Sequence, residues 1–136
     1  MIVHGVSHNP GHAEGEALVL DEPLSMWGGV DPATGEIIDR YHPQCGRSVA
    51  GSVLVLPHGR GSSGGSSVLA ECVRAGTAPV AVVMRRLDVI LLVGSLVAAE
   101  LYPDRPCPVV ELVDGYDELR SGWVTTVRPD GTVEQR

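Results

Sequence analysis

Residues 59 to 67 read Gly-Arg-Gly-Ser-Ser-Gly-Gly-Ser-Ser. They follow an apolar run, Ser52 to Leu56, and precede a helix-like run, Val68 to Ala75. In an α/β unit, ligands bind where a strand's carboxyl end meets the next helix. The first N–H groups of that helix have no internal partners and attract a carboxylate or phosphate. Glycines let the backbone approach closely, serine hydroxyls add donors, and Arg60 offers a fork that takes an oxyanion bidentately. The plain alternative is a flexible turn with Ser63 or Ser66 as N-cap.

Familiar loop chemistries do not match. There is no GxxxxGK[ST], and the chain has no lysine at all. No GxGxxG is followed by a suitably placed acid. Gly61-Ser62-Ser63-Gly64 is out of register for a GxSxG elbow, and every histidine lies upstream of Ser62, so no hydrolase triad follows.

The elements around the loop follow from hydrophobic pattern and turn residues. Strands are expected at 17–20, 36–39, 52–56, 79–83, 89–93 and 108–112. Helices are expected at 66–75, with Leu69, Cys72 and Val73 inward and Gly76 as its stop, and at 95–101, with Ser95 as N-cap. Residues 123–127 and 132–135 form a hairpin about Arg128-Pro-Asp-Gly131, so the C-terminal hairpin spans about 121–136. Strand 52–56, helix 66–75 and strand 80–83 make one βαβ unit. Its unalternating strands fit a parallel sheet covered on both faces. The expected fold is α/β, with a mainly parallel central sheet and a β-rich flank, in one domain over residues 1–136.

Composition narrows the function. Net charge is −7, and all 10 basic residues are arginine. That argues against a nucleic-acid binder or an anionic membrane surface. No apolar run reaches the roughly 20 residues of a membrane span, and the N-terminus lacks a signal-peptide pattern. The 3 cysteines, Cys45, Cys72 and Cys107, are widely spaced and fit reduced thiols in a cytoplasmic protein.

Several stretches together resemble one family. They are Pro23-Leu-Ser-Met-Trp-Gly-Gly-Val-Asp-Pro32, Thr34-Gly35, Ile38-Asp-Arg-Tyr-His-Pro-Gln44, Gly46-Arg-Ser-Val-Ala-Gly51, the loop 59–67, and Gly76-Thr-Ala-Pro-Val-Ala81. In this order they resemble the small subunit, or swivel domain, of aconitase X. The resemblance implies a swivelling β/β/α domain and a hydro-lyase completed by a large subunit. An iron–sulfur or iron centre is expected on that large subunit, with no metal or cofactor on this chain. The substrate implied is a small hydroxy acid, most closely cis-3-hydroxy-L-proline, which is dehydrated to a pyrroline carboxylate. Phosphomevalonate is the alternative within the family. The family's catalytic serine falls on Ser62, expected to act as general base. Arg60, Gly61, Ser63 and Ser66 are the expected substrate-binding residues. Two readings outside this enzyme class remain: a non-catalytic domain that binds a small anion or scaffolds a partner, and a phosphohistidine carrier using His58.

The other reactive residues have bland readings. His4, His8 and His12 are spaced by four, but Asn9-Pro10-Gly11 breaks a helix there, so a solvated N-terminal loop is expected rather than a metal site. His42 reads as a turn-stabilising hydrogen bonder or an interface residue. Trp27 reads as a packing anchor, with a pocket wall or partner contact as the alternative. Cys72 reads as core. Glu71 and Arg74 read as a surface pair, and 114–120 as a solvated turn or short helix. A large subunit is expected to dock near Trp27 or along helix 94–101.

Overall fold

A computed structural model describes residues 1–136. The elements are β1 (Ile2–His4), β2 (Val6–Asn9), β3 (Ala13–Val19), β4 (Val53–Leu56), α1 (Gly65–Ala75), β5 (Ala81–Met84), α2 (Val89–Leu101), β6 (Val109–Glu111), a 3-10 turn (Tyr116–Glu118), β7 (Val124–Val127) and β8 (Thr132–Gln135). The strands run in the order β1-β8-β7-β3-β4-β5-β6-β2. The ladders among β3, β4, β5 and β6 are parallel, and the outer ones are antiparallel.

Two devices fold this ribbon into layers. β3 pairs with β7 through Ala13 to Glu16, then with β4 through Ala17 to Val19, so one strand serves both ladders. At the other end, β1 and β2 are the two edges of the strand order, yet only Gly5 separates them in the chain. Gly5 donates to the Gly131 carbonyl at 3.0 Å. A side chain there would meet Val110 Cγ1 at 2.6 Å, so the corner needs glycine.

Side-chain alternation then builds two cores. On the helix side, Leu54, Leu56, Val82, Met84 and Val109 pack with Leu69, Cys72, Val73, Leu91 and Ala98. On the other side, Val53, Val55, Ala81, Val83 and Val110 pack with Val3, Val127 and Val133 from the outer strands. The result is the expected β/β/α layering. The central strands β4 and β5 are buried at every position, which explains their unalternating sequence. The irregular stretch between β3 and β4 is pinned by Leu20, Leu24, Met26, Val30, Ile37 and Val49, all buried in the helix-side core.

Several sequence expectations need correction. Residues 89–93 are not a strand but the first turn and more of α2, which runs on to Leu101. Apolar runs of this length do not separate a buried strand from a helix. The N-cap of α2 is Asp88, whose carboxylate accepts the Ile90 N–H at 2.8 Å. Ser95, expected as the cap, is buried mid-helix and donates to the Leu92 carbonyl at 2.8 Å. The strand expected at 36–39 reduces to single bridges, Glu36 to Ser48 and Ile37 to Val30. Neither Ser63 nor Ser66 caps α1; its N-cap is Gly64, without a side-chain bond. His4 and His8 lie in β1 and β2 rather than in a solvated loop, and only His12 stands outside the strands, exposed just before β3. The segment 114–120 carries the 3-10 turn and buries Tyr116 and Leu119 instead of being wholly solvated.

Other expectations match. Leu69, Cys72 and Val73 face inward on α1, and Gly76 ends it at φ 79°. Glu71 pairs with Arg74 at 2.5 Å. β7 and β8 form the C-terminal hairpin. No helix is long and apolar enough to cross a membrane.

Burial makes two checks possible. Burial pushes the Cys107 thiol up to about 12, and Cys72 also rises for that reason. Cys45 is exposed. A thiol reagent at pH 8 is therefore expected to label the folded chain at Cys45 alone, and all 3 cysteines in denaturant. Glu111, at the end of β6, accepts the Leu87 N–H at 3.1 Å and contacts His8 Nε2 at 3.1 Å. The first of these contacts, then the second, holds its carboxyl below the ordinary value. The stability this supplies is present above the unfolded carboxyl value and is lost as pH falls through the lower folded one. Melting temperature measured against pH is expected to fall less steeply on the acid side in Glu111→Gln than in the parent chain.

Candidate active site

The loop 57–64 leaves the carboxyl end of β4 and enters α1. Its path is set by two neighbours that leave no space for side chains. At Gly59 a methyl would lie 1.7 Å from Asp88 Oδ2. At Gly61 it would lie 2.5 Å from Ser25 Oγ, and φ there is 93°, a conformation that favours glycine. The segment Leu24–Trp27 thus lies along one side of the loop and the N-terminus of α2 along another. Leu24 bridges in parallel to Gly59, and Arg60 donates its N–H to the Leu24 carbonyl at 3.3 Å. Ser25 Oγ donates to the Trp27 carbonyl at 3.0 Å, which braces the neighbouring segment.

Ser62 is exposed at the head of α1. Its hydroxyl oxygen accepts the Gly64 N–H at 3.0 Å, and its carbonyl accepts the Gly65 N–H at 3.0 Å. The backbone N–H groups of Gly61, Ser62 and Ser63 donate to no acceptor within the chain. Three free donors therefore sit beside one hydroxyl at the positive end of a helix. No acidic residue in the first turn of α1 cancels that end. Such a place binds an anion, and it favours negative charge on Ser62 Oγ, because hydrogen bonds to the charged form stabilise it.

The remaining expected site residues are distributed unevenly. Gly61 and Ser63 flank Ser62 with free N–H groups, and Ser63 is exposed. Arg60 is half-exposed, with its guanidinium 3.9 Å from Asp39 Oδ2, too far for a hydrogen bond. Ser66 points elsewhere: its hydroxyl donates to the Ile90 carbonyl at 2.6 Å, joining α1 to α2. Gly94 makes that helix contact close, since a side chain there would lie 2.8 Å from the Ser66 carbonyl oxygen. His58 lies at the loop's start with Nδ1 2.6 Å from the Gly59 carbonyl, so Nδ1 carries the hydrogen and Nε2 is left open.

His42 is buried and structural. Its Nδ1 accepts the Gln44 N–H at 3.1 Å, so its Nε2 donates to the Glu22 carbonyl at 3.1 Å. Trp27 is 60 % exposed, with its ring edge 2.7 Å from where a Gly64 side chain would begin. It stands over the start of α1 rather than in the core. No three His, Cys, Asp or Glu side chains converge as a metal-ligand set. Cys72 and Cys107 are buried, and Cys45 stands apart at the surface.

Sequence reasoning missed Ser25, Asp88 and Arg86 as neighbours of the loop. Asp88 had a signal: an acid directly before an apolar helical run is an N-cap pattern. Ser25 and Arg86 reach the loop only through tertiary packing.

Comparison with known proteins bears on the fold and the family. The family model described as the aconitase X swivel domain matches residues 2–135. A cis-3-hydroxy-L-proline dehydratase of Pseudomonas aeruginosa is 49 % identical over 109 residues, covering 80 % of this chain and 19 % of the relative. The chain thus spans about a fifth of that protein's length. A phosphomevalonate dehydratase small subunit of Methanopyrus kandleri is 45 % identical over 124 residues, covering 89 % of this chain and 86 % of the relative. The crystal structure of holo aconitase X from Thermococcus kodakaraensis superimposes with a TM-score of 0.89 at 34 % identity, covering 100 % of this chain and 98 % of the other. With residues 2–135 matched by the family model and the whole chain superimposed on an aconitase X structure, the chain belongs to the aconitase X swivel domain family.

Proposed function

We propose that this chain is the small subunit of a two-part dehydratase and that Ser62 is the base it contributes. The observation that carries this reading is the exposed Ser62 hydroxyl beside three unsatisfied N–H groups at the head of α1. A substrate carboxylate bound by those donors brings its α-carbon next to Ser62 Oγ. The Gly64 N–H, which donates to Ser62 Oγ at 3.0 Å, lowers the cost of the alkoxide that takes the α-proton. For cis-3-hydroxy-L-proline, the Cα–H electron pair becomes the new double bond as the C3 hydroxyl leaves as hydroxide. Proton and hydroxide together make the water lost, and the enamine tautomerises to a pyrroline carboxylate. This substrate is supported by the 49 % identity to the Pseudomonas aeruginosa dehydratase.

This chain offers no cluster of three His, Cys, Asp or Glu side chains to hold a metal. An iron or iron–sulfur centre therefore belongs to a large-subunit partner in this reading. The site on this chain is open to solvent at Ser62 and Ser63, as expected for half of a shared pocket. Phosphomevalonate is a second reading. It is favoured by the match to 86 % of the Methanopyrus kandleri small subunit, a relative of similar length.

The test is an anaerobic assay of the chain co-expressed with its large subunit, offered each substrate in turn. One substrate is expected to turn over, and Ser62→Ala is expected to lower kcat by roughly 10²–10⁴-fold with the complex intact by mass. Normal turnover in Ser62→Ala would remove Ser62 from the chemistry.

A further inference from the structure

One cation at this end of the molecule has no role in the account above. Arg86 directly follows Arg85 at the carboxyl end of β5, and its backbone N–H donates to the Pro57 carbonyl at 3.1 Å. That bond fixes the root of its side chain beside the Ser62 loop. Elsewhere on the chain, arginines are mostly engaged. Arg74, Arg85, Arg128 and Arg136 each hydrogen-bond a carboxylate, and Arg105 donates to the carbonyls of Val73 and Arg74. The side chains of Arg60 and Arg86 make no hydrogen bond, yet they line one pocket of about 240 Å³ together with His58.

Nearby carboxylates compensate this pair only in part. Asp88 lines the same pocket but accepts the Ile90 N–H and lies against Gly59. Glu111 accepts the Leu87 N–H and contacts His8. Asp117 holds Arg85, and Asp39 accepts the Tyr41 N–H while lying 3.9 Å from the Arg60 guanidinium as a loose ion pair, which leaves Arg86 without a carboxylate in hydrogen-bond contact. Two guanidinium groups sharing one pocket repel each other unless an anion lies between them. On a chain of net charge −7, such a place is selective. A neighbouring pocket of about 560 Å³ also uses His58 and Arg86, so space continues away from the loop.

We infer that Arg60 and Arg86 grip an oxyanion group of the substrate, a carboxylate or a phosphate. The pocket lies at the carboxyl ends of the parallel strands β4 and β5, where such ligands bind in open sheets. It rests on the reading of the Ser62 loop as the substrate site. For cis-3-hydroxy-L-proline, the single carboxylate would accept from the loop N–H groups and this arginine pair together; for phosphomevalonate, the loop would take the carboxylate and the arginine pair the phosphate.

The experiment is a titration of the full chain with inorganic phosphate and, separately, acetate. Resonances of the arginine Nε–H groups, the His58 ring and the amides of residues 59–63 are followed by NMR. Saturable shifts are expected in the parent chain, weakened about tenfold or more in Arg86→Ala, as for loss of one charge-assisted hydrogen bond. They are expected to be partly kept in Arg86→Lys and unchanged in Arg47→Ala. Saturation by phosphate alone assigns the pocket to a phosphate-bearing substrate, and saturation by acetate too assigns it to a carboxylate. Shifts that do not saturate, or that are the same in Arg86→Ala, overturn the inference. Because no turnover is needed, the two readings fail separately. Saturable binding with a complex that dehydrates neither substrate would break the dehydratase reading alone. Turnover lost in Ser62→Ala, without saturable binding, would break the pocket alone.

Discussion

A methyl group at Gly59 would lie 1.7 Å from the Asp88 carboxylate, and one at Gly61 would lie 2.5 Å from the Ser25 hydroxyl. The loop after β4 is therefore squeezed between two segments that come from far apart in the chain. This close approach is what holds Ser62 at the head of α1, with its neighbours' N–H groups turned away from any acceptor in the protein. Asp88 serves twice: it caps α2 through the Ile90 N–H and forms the wall against which Gly59 rests. The rest of the fold keeps that arrangement in place. β4 and β5 are buried throughout, so the strand ends carrying the loop and Arg86 cannot shift independently. The Ser66–Ile90 hydrogen bond and the Gly94 contact lock α1 to α2.

The layering gives this end of the molecule its function. Parallel strands bring the carboxyl ends of β4, β5 and β6 to one edge. The loop, Arg85, Arg86 and Glu111 meet there. The outer antiparallel strands close the opposite face of the sheet and contribute no group to the site. A chain that is acidic as a whole thus presents free loop N–H groups and arginines at one place, which suits an anionic substrate.

Much of this was legible in the sequence because its signals are local. The Val/Leu runs of β4 and β5 announce buried parallel strands, and the glycine–serine stretch marks the strand-to-helix loop. Gly76 and Gly131 mark a helix end and a hairpin turn. The resemblance across residues 23–81 carried the family and pointed to Ser62. What failed was also local ambiguity. Val89 to Val93 is apolar enough for a strand, and only the Asp88 cap and packing on α1 make it helix. The edge strands β1 and β2 are short and contain histidines and Asn9, so no alternation reveals them. The partners of the loop, Ser25 and Arg86, lie about 35 and 25 residues from it in sequence, and no spacing rule connects them.

The central claim is that Ser62 Oγ is the atom that takes the substrate's α-proton. The most direct measurement is a structure of the two-subunit complex with bound substrate or an unreactive analogue. The account predicts Ser62 Oγ roughly 3–3.5 Å from the α-carbon, with the carboxylate on the N–H groups of residues 61–63. A substrate whose α-proton faces a group of the large subunit, with Ser62 turned toward solvent, would contradict it.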